Sequence, residues 1–147
     1  MGNKWYSRPV MLVTDIDRSV DFYVKQFGFT ENWRFEPEPG KAGVAQVSRP
    51  GLELILEADQ RWPDKIGKAL MFISLDGDVL NALRAELEER GVEIMEGVWG
   101  YRVMIVADPD GNQFYFAYDE GLKVEGTLKR SKSSVPGAKS RDSSRIR

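Results

Sequence analysis

The sequence contains the same order of predicted elements twice: one strand, one helix and then three strands. In the first copy Asp15 precedes the apolar spacing of the helix and Gly28 follows it; Asp76 and Gly91 do the same in the second copy. These residues are typical of helix caps. Because neither copy can bury its apolar face alone, a repeat of about 60 residues predicts a pseudo-symmetric fold with a shared core.

The predicted strands are short runs rich in β-branched and aromatic residues, bounded by Gly, Pro and Asp turns. They cover residues 9–13, 30–35, 43–47 and 52–57 in the first copy, and 70–75, 92–96, 102–106 and 113–118 in the second. The two modules therefore cover about residues 6–58 and 67–120. We expect them to form one α+β domain over residues 1–121.

The chain has no histidine and no cysteine. This excludes a metal site with imidazole or thiolate ligands, a cysteine nucleophile and a disulfide framework. Phosphate-binding glycine loops and a GxSxG serine motif are also missing from the sequence. Acid–base chemistry by Glu53 or Tyr115 in a dry pocket remains open.

Charge is divided unevenly along the chain. Residues 1–121 have a formal charge of −8, whereas residues 122–147 have +6. An acidic body repels nucleic acid and favours cationic or neutral small molecules. The basic tail has few apolar residues, so we predict that it is disordered, and we favour a solvated terminus over an arm for RNA or an acidic partner.

No apolar run approaches the roughly 20 residues that a membrane span needs. The first residues also lack the apolar stretch of a secretory signal. We therefore expect a cytoplasmic protein that does not enter a membrane.

Several short motifs in a fixed order resemble the vicinal oxygen chelate superfamily, which includes glyoxalase I, extradiol dioxygenases, fosfomycin-resistance enzymes and bleomycin-resistance proteins. The resemblance covers about residues 8–120. Its motifs are Pro9-Val10, Asp15-Ile16, Ser19-Val20, Phe22-Tyr23, Gly28-Phe29, Trp99-Gly100 with Arg102, and Asp108-Pro109-Asp110-Gly111-Asn112. The resemblance implies that the two modules form a mixed, incompletely closed, eight-stranded barrel-like sheet. It also implies a homodimer, often with exchanged segments, that binds ligands in a cleft between subunits.

Metal enzymes of that superfamily hold a divalent ion with four side chains, usually His, Glu, His and Glu. The matching positions here are Arg8, Glu53, Leu70 and Tyr115, with Glu57 as a less favoured alternative to Glu53. Arginine cannot ligate a metal, and one carboxylate does not make a site. The resemblance therefore implies a protein without metal or other cofactor, in which we expect Arg8 and Glu53 to lie close together as an ion pair.

The metal-free members that this chain resembles are the bleomycin-resistance proteins, which sequester a drug without altering it. Trp99 matches the cleft tryptophan of that family, either as a stacking platform or as a cap on a barrel end. Trp33 and Phe35 match ligand-contacting residues only in general place. Tyr115 either points its hydroxyl into the cavity or packs in the core. Arg102 either contacts an anionic group or bonds backbone carbonyls near the hairpin, and the second is favoured.

These features favour a homodimer that binds a flat, cationic antibiotic or metabolite. The rival hypothesis is an enzyme of the same superfamily, either cofactor-free or with a metal held by carboxylates. A third hypothesis is a dimeric interaction module whose cavity is vestigial.

Overall fold

The computed structural model describes residues 4–58 and 61–118, and its elements follow the predicted repeat. The basic tail predicted for residues 122–147 lies outside the described residues. In the described part of the chain, no helix is long and apolar enough to cross a membrane.

The first copy of the repeat forms a four-stranded sheet with one helix. Its elements are β1 (Val10–Leu12), α1 (Ile16–Asp21), β2 (Thr30–Phe35), β3 (Val44–Arg49) and β4 (Leu52–Glu57). The strand order is β1-β4-β3-β2, with β1 parallel to β4 and the other neighbours antiparallel. The Asp15 carboxylate accepts a hydrogen bond from the Arg18 backbone N–H at 3.1 Å, which confirms it as the N-cap of α1. A π-helical turn, Phe22–Gln26, extends this helix.

The second copy forms another four-stranded sheet with the order β5-β8-β7-β6. Its elements are β5 (Leu70–Ile73), α2 (Gly77–Glu89), β6 (Met95–Val98), β7 (Arg102–Ala107) and β8 (Gln113–Ala117). The predicted α+β class and the two βαβββ modules are confirmed. Backbone hydrogen bonds divide the described strands between two separate four-stranded sheets, so the eight-stranded sheet that we expected is not one continuous ladder.

The strand β6 begins three residues later than the sequence indicates. Residues 92–96 were expected to be extended, but β6 begins at Met95. The Val92 backbone N–H instead donates to the Leu87 carbonyl at 3.0 Å, and Gly91 adopts a φ of 81°. Because this closes the C-terminal end of α2, the N–H of Val92 is used by the helix and not by a strand.

Contacts divide the chain into two compact units that do not coincide with the two halves of the sequence. Of the described residues, the first unit contains 4–58, 61–69 and 107–113, and the second contains 70–106 and 114–118. The hairpin turn between β7 and β8 therefore belongs to the unit built mainly from the first module.

That turn is organised by the carboxylate of Asp108. One oxygen accepts the backbone N–H groups of Asp110, Gly111 and Asn112 at 2.9–3.0 Å. The other accepts the Tyr23 hydroxyl and the Asn112 side-chain amide, both at 2.9 Å. Burial raises the pKa of Tyr23 well above its ordinary value, and the charge of Asp108 adds to the effect, so this hydroxyl is held as a donor. The Asp and Asn side chains thus serve the turn, as their spacing indicates.

Asn112 and Asp110 attach the turn to the rest of the first unit. The Asn112 amide donates to the Leu12 carbonyl at 3.1 Å and accepts the Ala69 N–H at 3.0 Å. The Asp110 carboxylate accepts the Thr14 backbone N–H at 3.1 Å. Asn112 is fully buried and Asp108 nearly so, which makes this polar network part of the core.

Candidate functional site

The two faces of the second sheet differ, and one of them lies toward α2. Arg84 of α2 bonds Glu96, which places Glu96 and its cross-strand partner Met104 on the α2 side. Directly paired strand residues share a face, and neighbours along a strand alternate. The opposite face, here called the aromatic face, therefore carries Leu70, Phe72, Met95, Gly97, Trp99, Tyr101, Val103, Ile105 and Tyr115.

Four rings form the centre of the aromatic face. Phe72 lies 4.9 Å from Trp99 and 6.3 Å from Tyr101 between ring centroids, and Trp99 meets Tyr115 edge-on at 5.7 Å. Trp99 is half-buried against Val103 and Tyr115, whereas Phe72 is 38% exposed. The strand residues on this face include no charged side chain. It therefore offers ring surfaces to a flat, apolar group.

The structure separates Arg102 from this cluster. Its cross-strand partner is Val98, which places it on the α2 side of the sheet. Its guanidinium lies over the Tyr118 ring at 5.0 Å. The favoured hydrogen bond to a backbone carbonyl is not found among the residues that the structure describes, so a cation–π contact takes its place. Of the three predicted site residues in this unit, Trp99 and Tyr115 come together and Arg102 does not.

In the first sheet, a β-bulge decides which side chains share a face. Arg34 bonds Glu31 and Asp17 of α1, each at 2.6 Å, so both Glu31 and Arg34 lie on the α1 side. Residues three apart in a regular strand would point to opposite faces. The pairing register shifts between Glu31 and Trp33, and the inserted residue leaves both Asn32 and Trp33 on the face away from α1.

A row of hydrogen bonds crosses the face away from α1. Arg8 Nη1 donates to Gln46 Oε1 at 2.7 Å, and Gln46 Nε2 donates to Asn32 Oδ1 at 3.0 Å. Gln46 is 93% buried, and its direct cross-strand partner is Trp33. Phe35 lies two residues beyond Trp33 on the same edge strand and is exposed.

The predicted ion pair between Arg8 and Glu53 is wrong. The Tyr6 hydroxyl donates to Glu53, and the Arg8 guanidinium lies 5.1 Å from the centre of the Tyr6 ring. The hydrogen bond to Glu53 raises the pKa of Tyr6, which keeps the hydroxyl protonated as the donor. Tyr6 thus stands next to both charges and supplies the carboxylate with a neutral partner.

Sequence reasoning missed Tyr6, Gln46 and Asn32. Gln46 carried a signal, because it is a polar residue between Ala45 and Val47 in an otherwise apolar strand. Tyr6 and Asn32 gave none, since one depends on a contact 47 positions away and the other on a bulge.

The four positions of the superfamily's metal ligands do not fit a metal here. Arg8 and Leu70 cannot ligate one, and Glu53 bonds Tyr6. The alternative carboxylate, Glu57, is paired with Arg61 at 3.2 Å. Throughout residues 4–58 and 61–118, no three His, Cys, Asp or Glu side chains are grouped so that they could hold an ion. The donor set therefore gives no support to the carboxylate-metal enzyme.

Residues 5–116 match the family model described as the Glyoxalase/Bleomycin resistance protein/Dioxygenase superfamily. No curated protein matches the chain.

Solved structures with a similar fold include an antibiotic-binding protein, TnmS3 from Streptomyces sp. CB03234. It is 25% identical, with a TM-score of 0.58 over 82% of this chain and 100% of that one. The bleomycin-binding protein of bleomycin-producing Streptomyces verticillus, in complex with copper(II)-bleomycin, is 22% identical, with a TM-score of 0.61 over 82% and 100%. A superfamily member from Sphaerobacter thermophilus is 25% identical, with a TM-score of 0.57 over 79% and 98%.

Proposed function

Because the chain belongs to the glyoxalase/bleomycin resistance protein/dioxygenase superfamily, we propose that it binds and sequesters a small molecule without using a metal. The ligand that we propose is a flat, cationic antibiotic or metabolite. The observation that carries the proposal is the aromatic face: four rings around Trp99 on a strand surface without charged side chains. The similarity to TnmS3, an antibiotic-binding protein, supports the same class of ligand.

Charge and ring chemistry favour a cation over an anion at that face. The negative face of an aromatic ring attracts a cation, by roughly 0.5–2 kcal/mol for each contact. Residues 1–121 also have a formal charge of −8, which raises the local concentration of cationic molecules. A flat cation therefore gains from stacking and from long-range attraction together.

We further propose that the chain forms a homodimer and that a second copy completes the binding cleft. The aromatic face leaves Leu70, Phe72 and Met95 substantially exposed, at 46%, 38% and 39%. Apolar side chains clustered in this way are usually covered by a ligand or a partner. A cleft between two copies would cover them while keeping access to Trp99.

We expect bleomycin, used as the test ligand, to bind the wild-type protein and to bind Trp99→Ala about 30-fold more weakly. Truncating an aromatic anchor in a binding site costs about 2 kcal/mol, which corresponds to that factor. The affinity would be measured by isothermal titration calorimetry and by tryptophan fluorescence.

Trp62→Ala is the matched control, because Trp62 is 43% exposed, lies under Arg61 at 4.4 Å and belongs to the first unit. It should bind bleomycin as the wild type does. An equal loss in both variants would exclude the aromatic face as the site. No response of the wild type at high micromolar bleomycin would remove this drug as a ligand.

A further inference from the structure

Arg8 differs from most arginines of the described chain in what it bonds. Carboxylates lie within 3.2 Å of the guanidinium groups of Arg18, Arg34, Arg61, Arg84 and Arg90. In residues 4–58 and 61–118, no carboxylate comes within 4.0 Å of Arg8, whose hydrogen-bond acceptor is the neutral amide of Gln46. Within the described part of the chain, its positive charge is therefore not neutralised by an ion pair.

The carboxylate on the same face is already engaged. Glu53 accepts the Tyr6 hydroxyl, and the Tyr6 ring lies against Arg8. A guanidinium has five N–H donors, and Arg8 uses one of them on Gln46. Arg8 is an exposed residue, so a ligand can reach it from the solvent.

The buried side chain of Gln46 holds the Arg8 guanidinium in position. Gln46 is 93% buried, and Asn32 fixes its amide at 3.0 Å, so the oxygen that receives Arg8 cannot turn away without breaking that bond. An arginine held in this way loses less side-chain entropy when it binds. Its planar fork matches the two oxygens of a carboxylate.

The indole ring of Trp33 lies on the same face as the hydrogen bond between Arg8 and Gln46. Trp33 is the direct cross-strand partner of Gln46 and is 43% exposed. Neighbouring strands are about 4.8 Å apart, so the indole and the amide that anchors Arg8 are side by side on the face away from α1. A fused two-ring molecule with a carboxylate at one end would place its rings on the indole and its carboxylate at the guanidinium that Gln46 holds.

We propose that Arg8 and Trp33 form a subsite for an aromatic carboxylate, or for another pair of adjacent, negatively charged oxygens on a flat ring. The inference rests on the proposed function and narrows it. It adds one chemical requirement to the ligand, a pair of adjacent, negatively charged oxygens on a flat ring.

Two probes of matched shape test the charge requirement: 2-naphthoate and the neutral 2-naphthamide. We expect the wild-type protein to bind 2-naphthoate about 10-fold more tightly than 2-naphthamide. The carboxylate can accept two charge-assisted hydrogen bonds from the Arg8 guanidinium, whereas the amide accepts weaker ones. Arg8→Gln should remove the preference, and Arg8→Lys should retain only part of it because lysine lacks the fork. Chemical shifts in ¹H–¹⁵N spectra give the affinities, and the Arg8 Nε–H signal should move with naphthoate and not with naphthamide.

Arg90→Gln is the control, since it removes the same charge from an arginine that is paired with Glu86 at 3.0 Å. It should keep the wild-type preference. Equal binding of the two probes to the wild type would overturn the carboxylate subsite and leave the proposed function intact, because a neutral ring still binds. If neither probe binds at millimolar concentration, the subsite is wrong, whether or not bleomycin binds.

Discussion

Replacing Asn112 with alanine should lower the free energy of unfolding by about 3 kcal/mol. The change removes the acceptor of the Ala69 N–H and one donor to Asp108, and it leaves a small cavity in a fully buried position. Each buried polar group that loses its partner costs about 1–3 kcal/mol. The Leu12 carbonyl loses the Asn112 amide but still accepts the Gly67 N–H at 3.2 Å, which limits the loss of stability.

Urea denaturation followed by circular dichroism measures this change. The matched control is Asn81→Ala, because Asn81 is exposed in the middle of α2. Alanine has the higher helix propensity, so the control should be unchanged or slightly more stable. A loss below 1 kcal/mol in Asn112→Ala would show that water replaces the amide and that the turn is not held as described.

Gly67→Ala should cost about 3 kcal/mol of stability. Gly67 has a φ of 75°, and a Cβ added there would lie 2.0 Å from the backbone oxygen of Asp110. The left-handed conformation alone costs an alanine about 1 kcal/mol. Asp110 cannot easily move, because its carboxylate bonds Thr14 and Arg18. The clash therefore adds to the conformational cost.

Gly91→Ala separates these two contributions. Gly91 has a similar φ of 81°, and nothing lies within 4 Å of an added Cβ. It should lose only about 1 kcal/mol, as expected for the conformation alone. Thermal unfolding of both variants gives the comparison, and equal losses would contradict the close packing of Gly67 on Asp110.

The sequence predicted the parts of the fold that local chemistry determines. Asp15 caps α1 through its side chain, and the predicted bounds of β2 and β4 agree with the structure. Such features depend on residues within one element and its turns, so periodicity and capping preferences indicate them. The late start of β6 was missed because the end of α2 uses the N–H of Val92.

Features of the candidate site depend on pairings that a single sequence does not display. Trp99, in the turn before β7, meets Tyr115 of β8 because β7 and β8 are neighbours, which the hairpin predicts. Arg8 and Glu53 were expected to pair because both match ligand positions of the superfamily's metal site, but Tyr6 bonds Glu53 through a contact between distant residues. The bulge before Trp33 could not be predicted from the sequence either, since it arises from the register between β2 and β3.

The turn from Asp108 to Asn112 also affects how the chain can fold during synthesis. Asn112 bonds a carbonyl 100 positions earlier, and Asp108 bonds a tyrosine 85 positions earlier. Contacts between residues so far apart in the sequence slow folding, because a long loop must close before they form. A nascent chain that ends within the second module lacks the residues that complete the first unit. We therefore expect the first unit to complete its hydrogen bonds only after nearly all of the described chain has been synthesised.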